Sequence, residues 1–187
     1  MSFSGTLCKA VIKMAGWSVE CKVEKVPSKC VFCVAPHTSN WDFIVGKVCY
    51  TALDLGIKPK FLIKKFWTDF PFGLLIKPLG GIGVDRNKST NLVETVVAEM
   101  AQHDTFQLAV TPEGTRSRNA NWKRGFYLIA EKSHVPIVLV GLDYKRKKVL
   151  LDNLFYPSGD MAADMSKIKS WFVENDIQAK YPENFVV

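Results

Sequence analysis

Val31-Phe32-Cys33-Val34-Ala35, closed by Pro36, constrains the fold more than any other stretch of the chain. The run has no polar face, which is the pattern of a strand covered on both sides. Pro36 stops it. Phe43, Ile44, Val48 and Leu55 then recur at helical spacing, and Thr38 or Ser39 can cap that helix. Between strand and helix stand His37 and Asp42, five residues apart. On one helix such residues point roughly 140° apart, so they meet only if His37 lies in the turn and Asp42 in the first helical turn. Two readings stay open for this spacing. Asp42 can orient His37 as a general base acting on a hydroxyl, or it can serve only the helix end through a Ser39-x-x-Asp42 capping box.

The remaining segments alternate in the same way, which places the chain in the α/β class. Strands are expected around 19–26, 31–35, 60–63, 105–110, 135–140 and 149–155. Helices are expected after His37, from 89 or 90 to 100, over 125–133 and over 161–173. At 187 residues and 48% hydrophobic content the chain reads as one domain, 1–187. Lys9 and Lys13 interrupt the only apolar stretch near the N-terminus, so neither a signal peptide nor a membrane span is expected, and a cytoplasmic location follows. The five cysteines include a Cys30-x-x-Cys33 pair without a second ligand pair, and buried thiols are the simpler reading.

The formal charge of +7 favours anionic partners: nucleic acid, an anionic membrane surface or phosphorylated substrates. An amphipathic helix of about residues 5–17 groups Leu7, Ala10, Val11, Met14 and Trp17 on one side. That side can lie in a membrane interface, though packing on the domain is the simpler expectation. Residues 64–78 interleave Phe66, Trp67, Phe70 and Phe72 with lysines, as a membrane-facing or acyl-lining surface would; two short helical turns packed on the core fit equally well. Nucleic-acid binding has no supporting motif and is not expected. Gly80, Gly81 and Gly83 let the backbone turn or come close to a ligand ahead of Arg86, a bidentate partner for phosphate. Glu113 and Arg116 follow a strand, where α/β site residues usually sit, or else form an exposed ion pair. Lys145-Arg146-Lys147-Lys148 reads as a basic hairpin turn.

Four of these stretches, in this order, resemble the PlsC-like lysophosphatidic acid acyltransferase superfamily, which acylates glycerol phosphates and lysophospholipids. His37-Thr38-Ser39-Asn40-Trp41-Asp42 matches its H-x4-D motif, and Pro112-Glu113-Gly114-Thr115-Arg116 matches its E-G-T-R motif. Gly81-Ile82-Gly83-Val84-Asp85-Arg86 is similar to its second motif. Val135-Pro136-Ile137-Val138 is similar to its fourth, with Leu139 where a second proline is common.

The resemblance implies a single α/β domain with a mixed, mostly parallel sheet flanked by helices. It implies His37 as general base, Asp42 as its orienting carboxylate, and Arg86, Glu113, Gly114, Thr115 and Arg116 as substrate-binding residues. The arginines would hold the anionic acceptor, with Glu113 positioning its polyol or ordering them. Backbone N–H groups near Glu113-Gly114-Thr115 are candidates for the oxyanion. No cofactor or metal is implied. The partners would be an acyl-CoA or acyl carrier protein donor, a lysolipid acceptor such as 1-acyl-sn-glycerol-3-phosphate, and the inner face of the membrane, bound peripherally. Three alternatives differ in what they need from these residues: an N-acyl amino acid acceptor, a non-catalytic lipid-binding module with no use for both His37 and Asp42, and a hydrolase turning the same pair on water.

Overall fold

The computed structural model describes residues 2–84 and 92–187. The chain runs α1 (Phe3–Met14), β1 (Ser18–Cys21), β2 (Lys29–Ala35), α2 (Trp41–Leu53), β3 (Lys60–Lys64), a 3-10 turn (Lys65–Trp67), α3 (Gly73–Ile76) and β4 (Gly81–Val84). It continues through α4 (Leu92–Ala101), β5 (Phe106–Val110), α5 (Gly125–Lys132), β6 (Ile137–Asp143), β7 (Lys148–Phe155) and α6 (Met161–Glu174) to a second 3-10 turn (Pro182–Asn184). The strands form one seven-stranded sheet in the order β1-β7-β6-β2-β5-β3-β4. Pairing is parallel throughout except between β6 and β7, which are joined by the basic hairpin turn.

β2 lies near the middle of the sheet because its side chains are apolar on both faces. Val31, Cys33 and Ala35 enter one core with Phe126, Ile129, Ile168 and Phe172, and Cys30 and Phe32 enter another with Cys49 and Val138. This is the period of two along a strand whose faces are both covered. The Cys30-x-x-Cys33 pair is therefore split between two cores, and both thiols are buried and free.

Several sequence expectations are revised. The N-terminal helix is Phe3–Met14 rather than about 5–17. It starts early because Ser2 caps it and is itself held by Asp54, through Ser2 N–H at 2.7 Å and Ser2 Oγ. Its apolar side does not pack inward: Phe3, Leu7, Val11 and Met14 are exposed, Phe3 at 87%. Of that group, Trp17 alone packs, edge-on against Tyr144 with ring centroids 5.0 Å apart. The first strand covers only Ser18–Cys21, and the helix after His37 ends at Leu53, two residues short of Leu55. The 64–78 region takes the helical turns of one expectation without their packing on the core. It forms short helical turns, yet Phe66, Trp67, Phe70, Phe72, Leu74 and Leu75 stay exposed, and Phe66, Trp67 and Phe72 stack on one another. The expected helix starting at 89 or 90 is described from Leu92, so its first residues lie outside the described part.

The glycines before Arg86 serve packing. A Cβ on Gly83 would stand 2.0 Å from Thr68 Oγ1, and one on Gly81 would stand 2.4 Å from an Ile76 methyl. They let β4 lie directly against the 65–76 segment. Gly83→Ala is therefore expected to destabilise the protein by about 1–3 kcal/mol, the usual cost of overpacking. Urea unfolding checks this, and a midpoint equal to the parent's would contradict the close approach.

Candidate active site

β6, β2 and β5 are neighbours and run parallel, so their carboxyl ends lie side by side at one edge of the sheet. Whatever follows each strand arrives at the same place, the usual crevice of α/β sheets. β2 delivers His37 and, after a bend, Asp42. β5 delivers Glu113, and β6 delivers Tyr144.

His37 stands before the helix and Asp42 in the first turn of α2. His37 Nδ1 lies 3.2 Å from Asp42 Oδ2. The same Oδ2 accepts the N–H groups of Thr38 and Ser39, both at 2.7 Å, and Oδ1 accepts the Tyr144 hydroxyl at 2.6 Å. One carboxylate thus closes the helix start and also faces the imidazole, so Asp42 does not serve the helix end alone. Ser39 Oγ supplies less of a cap than expected: it accepts from Trp41 N–H at 3.2 Å, and the N-cap residue, Asn40, makes no side-chain cap bond. Burial of Asp42 by itself favours its neutral form. The hydrogen bonds from His37, Tyr144 and Ser39 outweigh that and hold the carboxyl below its ordinary pKa. With Nδ1 turned to Asp42, the imidazole, 23% exposed, has Nε2 left to face a substrate.

Glu113 is buried and holds the histidine loop rather than Arg116. Its Oε2 accepts His37 N–H at 2.6 Å, while Oε1 is buried without a partner among the described residues. Burial pushes this carboxyl up to about 8, against the His37 hydrogen bond and with help from the Asp42 charge. Gly114 follows with φ +66°, a left-handed turn that glycine adopts without strain. Its N–H is committed to the Thr111 carbonyl at 3.1 Å, which removes it from the expected oxyanion donors. Thr115 lines the cavity beside it. Arg116 is exposed and donates to Asn40 Oδ1, so it sits at the rim beside the first turn of α2 instead of pairing with Glu113. Arg86 lies outside the described residues.

A cavity of about 1140 Å³ opens at His37 and Asp42. Phe32, Val34, Phe43, Tyr50 and Phe61 give it apolar walls, and Asn119, Lys123 and Arg124 stand along it beside Gly114. Sequence reasoning missed Lys123, Arg124 and Asn119, whose proximity to the E-G-T-R stretch in the chain was the available signal. It also missed Tyr144, for which no local signal existed.

A model of the acyltransferase family matches residues 18–143, more than half of the chain. The fold is similar to the crystal structure of the 1-acyl-sn-glycerophosphate (LPA) acyltransferase, PlsC, from Thermotoga maritima, with a TM-score of 0.61 at 19% identity, covering 95% of this chain and 80% of that one. No curated protein sequence matches the chain. The mostly parallel sheet, the strand-end crevice and the matched segment that spans His37, Asp42 and Glu113 agree: the chain belongs to the acyltransferase family.

Proposed function

We propose that the chain transfers a fatty acyl group from an acyl-CoA or acyl carrier protein thioester to the hydroxyl of an anionic lysolipid such as 1-acyl-sn-glycerol-3-phosphate. The observation that carries this reading is the His37–Asp42 pair, 3.2 Å apart, in the wall of a largely apolar cavity of about 1140 Å³. Such a volume is at or above the top of the usual range of ~300–1,000 Å³ for ligand sites, as long acyl chains require. The name of the Thermotoga protein fits the same substrate class.

In this mechanism His37 Nε2 takes the proton of the acceptor hydroxyl while its oxygen attacks the thioester carbonyl carbon. A C–O bond forms and the carbonyl becomes a tetrahedral oxyanion. The C–S bond then breaks, and the thiolate leaves with the proton carried by the imidazolium. Asp42, kept ionised by its donors, steadies that positive charge and keeps Nδ1 protonated. Arg116 beside Asn40, and Lys123 and Arg124 along the cavity, offer positive charge to the acceptor's anionic group or the donor's phosphates, a role the family resemblance also gives to Arg86. Direct attack between two bound substrates draws much of its rate from positioning, which a rigid strand edge supplies.

The membrane surface completes the reading. Among the described residues no helix is long and apolar enough to cross a membrane. Exposed Phe3, Leu7, Val11 and Met14 on α1 and the exposed aromatics at 66–72, with Lys64, Lys65 and Lys77 around them, form faces suited to an anionic bilayer. Peripheral attachment through these faces would bring the lipid acceptor to the strand edge.

The test is a thiol-release assay with the purified protein, acyl-CoA or acyl carrier protein as donor, and lysophospholipids or N-acyl amino acids as acceptors. His37→Ala is expected to lower the transfer rate at least about 100-fold, the share that general-base catalysis commonly supplies. Turnover at the parent's level would reject His37 as the base. A second expectation concerns Glu113. The folded state keeps a proton on this carboxyl that the unfolded chain loses above its ordinary pKa of 4.5. Stability should therefore fall as pH rises from 4.5 to about 8 and level off above it. A tenfold difference in proton affinity between folded and unfolded chain corresponds to about 1.36 kcal/mol, so the loss is on the order of a few kcal/mol at most. Urea unfolding across this range should show the slope in the parent and a flatter one in Glu113→Gln. Parallel profiles would contradict a neutral buried Glu113.

A further inference from the structure

The Asp42 carboxylate divides its donors unevenly. Oδ2 faces His37 Nδ1, Thr38 N–H and Ser39 N–H, whereas Oδ1 has the Tyr144 hydroxyl. Asp42 is 3% exposed, so water cannot replace that donor. Tyr144 is itself held on two sides. Trp17 packs edge-on against its ring at 90° between planes, and its N–H donates to the Gln178 carbonyl at 2.8 Å. Burial and the bond to Asp42 both raise its phenol pKa, so it remains a donor across the working pH range. It follows directly on Asp143, where both β6 and the family-matched segment end.

We propose that Tyr144 is a positioning residue for acyl transfer: by donating to Asp42 Oδ1 it fixes the rotation of the carboxylate, so that Oδ2 stays aimed at His37 Nδ1. The inference rests on the reading of His37 as general base. A carboxylate pinned at Oδ2 alone can turn about its Cβ–Cγ bond, because backbone N–H groups donate to either oxygen equally well. Pinned at both oxygens it cannot, and the imidazole inherits that fixity. The Tyr144 hydroxyl also weakens the pull of Asp42 for a proton, which keeps the carboxylate ionised beside a histidine that must accept one. The titratable groups that face Asp42 are His37 from the turn, Tyr144 after β6 and Glu113 after β5. Tyr181 acts in turn on Tyr144.

The test is Tyr144→Phe, which keeps the ring against Trp17 and removes only the hydroxyl. kcat should fall about 10-fold, a part of the ~10²–10⁴ supplied by general-base catalysis, with both KM values unchanged within about 2-fold. The acid limb of the pH–kcat profile should move to higher pH, since the Asp42 carboxylate, without this donor, keeps more negative charge toward Nδ1 and holds the imidazolium proton more strongly. Replacing Tyr144 by 3-fluorotyrosine, whose phenol is a stronger donor, should move the limb to lower pH, and this variant carries the test if the phenylalanine form does not fold. A folded Tyr144→Phe protein with the parent's kcat and acid limb would overturn the proposal. So would a loss of thermal stability with the limb unmoved, which is what a purely structural hydroxyl would give. His37→Ala in the same assay separates the two levels. If it is inactive while Tyr144→Phe matches the parent, only the positioning role fails; if it is fully active, the general-base reading fails and the positioning role with it.

Discussion

A carboxylate buried without partners is among the costliest things a fold can contain, and Asp42 avoids that cost by taking hydrogen bonds from four groups. Two of them are backbone N–H groups of the turn that leads into α2, one is the imidazole at the start of that turn, and one is a phenol from the turn that follows β6. The local conformation of residues 37–42 and the ionised state of Asp42 therefore depend on each other. Without the charge the turn loses the acceptor that organises it, and without the turn the charge loses most of its partners. Glu113 closes the arrangement from the other side by accepting the His37 N–H.

That arrangement requires the sheet order. Parallel β6, β2 and β5 end together, so three loops far apart in the chain meet without any long connection having to cross the site. The register of β2 on β6 places Ala35 beside Gly141, just short of the points where His37 and Tyr144 emerge. Apolar residues on both faces of β2 put it in the interior of the sheet, and this position makes the edge rigid. A transfer between two bound substrates needs that rigidity more than it needs a chemically exotic group.

Much of this was legible in the residues. The unbroken apolar run at 31–35 placed the central strand, and the five-residue spacing of His37 and Asp42 required the turn-and-first-turn geometry that the structure shows. The start of α1 was not legible, because Ser2 is held by Asp54, a contact 52 residues away in the chain that no local pattern encodes. Gly81 and Gly83 left open a tight turn or a close approach to a ligand, and the structure shows a close approach to Ile76 and Thr68, since sequence shows that a side chain is missing but not what fills its place. The resemblance gave Glu113 the acceptor's polyol or the ordering of the arginines, and the strand order brings its carboxyl to the His37 N–H, a contact no local pattern encodes. Tyr144 was invisible for the same reason: its partner is set by which strand lies beside β2.

In the proposed reaction His37 activates an acceptor hydroxyl for direct attack, not water. The most direct measurement is to count free thiol and ester product together, using purified protein, acyl-CoA and 1-acyl-sn-glycerol-3-phosphate. One ester per thiol released is expected, with release near background when the acceptor is omitted. Thiol released at the same rate without acceptor, with free fatty acid as the product, would contradict it.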